Sequence, residues 1–90
     1  MNKARRKALA EMTTQLEDII SQLEDFAIGD LKDEEQDYFD NMPESLQGGE
    51  KGDAAQTALD AMEAVADHVD TALDALRSAV ESLGDASGEA

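Results

Sequence analysis

The residues of this sequence that could hold a ligand are few, and most of them are cationic. Lys51 lies in the run Gly48-Gly49-Glu50-Lys51-Gly52 and is the sole basic residue between Lys32 and Arg77. A lysine just ahead of a helix, where free amide N–H groups point outward, suits one small anion. Tyr38 and Phe39 lie upstream and offer ring faces on which a planar group could stack. A second basic group, Lys3, Arg5, Arg6 and Lys7, opens the chain. Arg5 and Arg6 of one chain beside Lys51 of another would gather charge-assisted donors for a shared anion. The glycine spacing matches neither a Walker loop nor a dinucleotide-binding turn. The same residues also admit a structural role. Tyr38, Phe39, Met42 and Leu46 would plug the end of a helical bundle, while Lys3 to Lys7 would offset Glu81 and Asp85.

Catalytic and metal chemistry is poorly provided for. Asp60, Asp67, Asp74 and Glu81 recur every seven residues and read as one solvated helix face. The DEEQD segment lacks the central glycine and ligand spacing of a calcium loop. His68 is the only histidine and there is no cysteine, so no second imidazole or thiolate can complete a zinc site. The heptad pattern puts His68 at the edge of a core. The expectation is a non-enzymatic protein with no metal and no cofactor.

The net charge of −15 is unevenly placed: residues 1–7 are basic, and all 22 acidic side chains follow them. Such a field repels nucleic acid and attracts basic surfaces. No apolar run approaches the roughly 18 residues of a membrane span, and KARRK leads into an amphipathic pattern, not a signal-peptide core. The chain is expected to be cytoplasmic, without nucleic-acid or membrane binding.

Periodicity defines the elements that must position these residues. Leu9, Met12, Leu16, Ile19, Leu23 and Phe26 step by threes and fours, predicting a first helix over residues 3–28 that Gly29-Asp30 stops or kinks. Ala55, Leu59, Met62, Ala66, Val69, Leu73, Leu76, Val80 and Leu83 hold the same spacing over a second helix, 54–83. Asp53 with Gln56 has capping-box spacing for its start, Gly84 suits its C-cap, and residues 84–90 read as a disordered tail. Between them lies a connector, 29–53. Asp33 and Gln36 repeat the capping-box spacing before a short helix, Pro43 suits a new first turn, and Gly48-Gly49 supply backbone freedom. Small residues flank the second seam: Ala58, Val65, Ala72 and Ala79 on one side, Ala54, Ala61, His68, Ala75 and Ser82 on the other. The fold class is therefore all-α. A single domain is expected, a coiled-coil-like antiparallel helical hairpin with a short connecting helix. Its thin core predicts a homo-oligomer, as a four-helix bundle or larger.

The run DEEQDYFDNMPESLQGGEKG, residues 33–52, follows an amphipathic helix and precedes an Ala- and acid-rich one. It resembles small uncharacterised helical proteins encoded in bacteriophage and prophage genomes, with DNMPESLQ as the most specific part. Gly29-Asp30 departs from the smoother first helix of that group. The resemblance covers most of the chain and assigns no reaction. It implies a phage-type origin in host cell cytoplasm, where small binding proteins commonly inhibit host defences.

Three functions follow as expectations. The first is sequestration of a small anionic, nucleotide-like signal by an oligomer, carried by Arg5, Arg6, Tyr38, Phe39 and Lys51. The second is an acidic, DNA-mimic-like inhibitor that occupies a basic groove on a host protein through Asp60, Asp67, Asp74 and Glu81. The third is a structural or assembly protein.

Overall fold

The computed structural model describes residues 3–88, and these form helices joined by short turns. In chain order they are α1 (Lys3–Glu24), α2 (Ile28–Asp40), α3 (Glu44–Gln47) and α4 (Glu50–Gly88). Among the described residues there is no cis peptide and no positive φ. The chain packs as two compact units. One runs to Phe26 and resumes at Val69, and the other is Ala27–His68.

In the first unit, α1 packs antiparallel to the second half of α4. Glu24 and Arg77 join at one level, with Oε1 and Nη2 3.1 Å apart. Leu16 and Ile19 share a groove with Ala79 and Leu83. Further toward the amino end, Leu9 and Met12 share a hollow with Ala86. The second seam is legible to its full length: from Ala55 to Leu83, each of its nine residues is buried or half-buried. Leu73 is the buried member in this unit.

Several predicted boundaries move. The first helix ends at Glu24, not at residue 28, and the break falls at residues 25–27, ahead of Gly29-Asp30. Phe26 N–H closes a tightened turn on the Leu23 carbonyl at 3.1 Å, and Leu31 N–H opens α2 on Ala27 at 3.4 Å. Charge favours this placement, because Asp30 falls in the first turn of α2, where the helix dipole favours a carboxylate. Asp33 and Gln36 are then interior to α2 and form no capping box; Gln36 Nε2 donates to Asp40 Oδ1 instead.

At the other end of the connector, α4 begins at Glu50, ahead of the predicted residue 54. Asp53 is not its N-cap. Its N–H donates to the Gly49 carbonyl at 2.9 Å, and it joins Glu50 as a carboxylate in the first turn. Gln56 likewise bonds forward to Asp60. Gly84 is not a C-cap either. The helix continues through Gly88, so residues 84–88 of the predicted tail are ordered helix, and 89–90 lie outside the described residues. Within this stretch Ala86 is half-buried and shares a hollow with Leu9 and Met12.

The second unit is organised by the connector. Met42, Gly52, Ala55 and Leu59 are its buried residues. Asn41 caps α2, and Met42 N–H donates to the Phe39 carbonyl at 3.1 Å, which turns the chain and drives the Met42 side chain inward. Pro43 precedes α3 with φ −56° and ψ 145°, a position that demands no amide donor. Gln47 Nε2 donates to the Phe39 carbonyl at 3.0 Å, tying the end of α3 to the end of α2. Helix α4 then passes so close to α3 that Gly52 sits against the Gln47 backbone.

Candidate functional site

The most developed surface feature lies in the first unit and comes from an uneven use of the first seam. Leu9, Leu16 and Leu23 turn inward and are half-buried. Met12, Ile19 and Phe26, seven residues apart, remain 50%, 43% and 50% exposed. Thr13 fills an inward position, and its hydroxyl is satisfied by the Leu9 carbonyl at 2.9 Å, so it needs no partner from α4. The outcome is a ridge of large apolar side chains, Met12 and Ile19 along one side of α1 and Phe26 in the turn that follows it.

Beside that ridge runs a groove of about 540 Å³, lined by Met12, Gln15, Leu16, Ile19, Ala79, Ser82 and Leu83. No ionisable side chain lines it, in a chain where 32% of residues are charged. A hollow of about 320 Å³, with Arg5, Ala8, Leu9, Met12 and Ala86 around it, continues the apolar surface toward the start of α1. On the α4 side the groove is lined by two small residues, Ala79 and Ser82, beside half-buried Leu83, and the hollow by Ala86. The carboxylates Asp70, Asp74, Glu81 and Asp85 are exposed, and none of them lines the groove. Sequence periodicity gave the whole first seam one role. The split between the leucines and the Met12–Ile19–Phe26 series was missed, and the small α4 residues were the signal that could have found it.

The residues singled out for ligand binding are divided between the units. Arg5 and Arg6 are exposed on α1, in the first unit, and Arg5 borders the smaller hollow. Tyr38, Phe39 and Lys51 belong to the second unit. Tyr38 is 54% exposed and Phe39 half-buried, so adjacent positions on α2 send one ring outward and one inward. Leu31, seven residues before Tyr38, is exposed as well, whereas Lys32 and Glu35 are half-buried. Lys51 is in the first turn of α4 together with Glu50 and Asp53. Those two carboxylates already complement the positive end of the helix dipole, leaving less field for an external anion. Of the four residues expected to plug a bundle, only Met42 is buried; Leu46 is exposed like Tyr38.

His68 is exposed on α4. Among the described residues no group of histidine and carboxylate side chains is gathered as a metal site would require. No polar or charged side chain among them is buried. No described helix is long and apolar enough to cross a membrane. Compared with protein-family models, with curated proteins and with solved structures, the chain matches none.

Proposed function

We propose that this chain is a non-catalytic interaction protein that works by packing the apolar groove of its first unit against another helical surface. The observation that carries this reading is the exposed Met12–Ile19–Phe26 ridge beside a groove without an ionisable side chain. In a chain of charge −15, an uncharged face of this kind is the part of the surface that gains most from leaving water.

A second reading keeps the sequestration of a small anion through Arg5, Arg6, Tyr38, Phe39 and Lys51. It is favoured by the outward Tyr38 ring in the same unit as exposed Lys51. In the phage-type setting the ligand would be a nucleotide-like defence signal.

Native mass spectrometry of the chain purified from cells separates the two. If the groove is the working surface, Ile19→Asp releases a bound macromolecule while far-ultraviolet circular dichroism stays at the wild-type value. A triple Arg5, Arg6, Lys51 alanine variant keeps that macromolecule. The reading is overturned by a small anion that stays bound in Ile19→Asp and is lost from the triple variant.

A further inference from the structure

We infer that the occupant of this groove is a second copy of the chain, packed face to face so that each ridge enters the other's wall of small residues. The inference rests on the interaction reading above and names its partner. Two series with the same seven-residue step lie on one face. Met12 and Ile19 are large, and Ala79 and Ala86 are small. Within one chain they run at matching levels: Ile19 shares the groove with Ala79, and Met12 shares the hollow with Ala86. A two-fold axis parallel to the helices preserves those levels and exchanges α1 for α4. It sets the partner's Met12 over Ala86 and the partner's Ile19 over Ala79, and does the same in reverse. Both ridges and both small walls are filled by one operation, as a self-complementary interface requires.

The other face-to-face arrangement places the axis across the helices. It lays ridge on ridge and small wall on small wall, which overfills one seam and leaves the other hollow. That arrangement has one advantage, because it separates the basic starts of the two α1 helices, which the parallel axis brings to the same end. Fit decides between them. Both arrangements cover the ridges, but only the parallel axis sets each against small side chains, and repulsion between solvent-exposed charges is screened by salt. The basic starts also meet the carboxyl-terminal ends of α4, where the helix dipole favours cations.

The available area is sufficient. Helix α1 has 22 residues, so it is about 33 Å long. A two-helix face about 20 Å wide then projects to roughly 650 Å², close to the ~800 Å² per partner of a standard interface.

The chain has no cysteine, so single thiols report cleanly. Ile19→Cys and Ala79→Cys chains, each full length, are mixed under mild oxidation, and light scattering of the unmodified protein gives the mass. Helicity of each variant is checked first. The expected result is a mass of two chains and a mixed disulfide between the two variants, formed in clear excess over either homodimer. A predominant Ile19→Cys homodimer signifies ridge on ridge and overturns the inference. A monomeric mass up to millimolar concentration overturns it too. If Ile19→Asp still releases another bound macromolecule from that monomer, the groove remains the working surface and only the second copy is refuted.

Discussion

Gly52→Ala isolates one close approach and tests whether it holds the second unit together. A Cβ built on Gly52 falls within the Gln47 carbonyl group and lies 2.7 Å from the Gln47 Cα. Real Cβ contacts essentially never fall below 3.0 Å, and the neighbour is backbone, which cannot rotate away. Either α3 or the start of α4 must therefore shift by about 1 Å, beyond what repacking a side chain can absorb. The shift strains the Gln47–Phe39 bond and the short-range bonds of Gly49 and Asp53, and it opens the packing around Met42, Ala55 and Leu59. Overpacking costs about 1–3 kcal/mol, and losing one hydrogen bond adds about 1 kcal/mol. A total near 3 kcal/mol lowers the melting temperature by roughly 12 °C or more for a chain of this size.

Gly48→Ala is the matched control. Nothing lies within 4 Å of a Cβ there, and the backbone has φ −87° and ψ 0°, which alanine adopts freely. It should be neutral or stabilising by about 0.4–1 kcal/mol through the unfolded chain. Thermal melts by circular dichroism give the comparison, and amide exchange over residues 46–60 localises it. The reasoning fails if Gly52→Ala melts within 2 °C of wild type (roughly 0.5 kcal/mol), or if Gly48→Ala is as damaging.

Two further substitutions test the first unit and its helix end. Gly84→Ala should stabilise by about 0.5–1 kcal/mol, because the residue lies inside α4 with open space around it; a left-handed cap would make the same change destabilising, and slower amide exchange at residues 80–88 reads the difference. Leu73→Ala should cost about 2 kcal/mol or more in urea unfolding, since Leu73 is the buried side chain of that unit, whereas Val65→Ala, at an exposed position, should stay within about 1 kcal/mol.

The second seam was legible because it is long and unbroken: nine apolar positions at helical spacing leave little choice of which face turns inward. The helix ends were less so. Capping-box spacing at Asp33 and Gln36, and again at Asp53 and Gln56, is equally the spacing of residues within a first turn or a helix interior. Only the hydrogen bonds distinguish them, and both glutamines bond forward to an aspartate four residues on. Gly84 reads as a stop in isolation, yet the helix continues past it. The connector motif DNMPESLQGGEKG was legible as structured but not as to cause. The requirement for Gly52 arises from the approach of α3, which no local pattern encodes. The candidate ligand residues were chosen for their chemistry, and the division of Arg5 and Arg6 from Tyr38, Phe39 and Lys51 into two units could not be read from that chemistry.

An apolar face on a helix pair invites slippage, since a seven-residue repeat looks the same after one step. The sequence limits this at the start of the ridge. One heptad before Met12, the ridge position is Arg5, at the rim of the smaller hollow. A partner displaced by one step would press a guanidinium where a methionine side chain should sit, and taking a charged group out of water is costly. At the other end the helix itself stops at Glu24, so the heptad step does not continue beyond the break at residues 25–27. In the face-to-face pairing inferred above, Arg5 would then limit which heptads meet. The surrounding carboxylates act in the same direction. Glu11 and Asp18 are exposed on α1 between and beside the ridge positions, where they repel a copy that arrives in another orientation. A surface of charge −15 opposes indiscriminate association, and the uncharged groove is the part of it whose burial meets least charge.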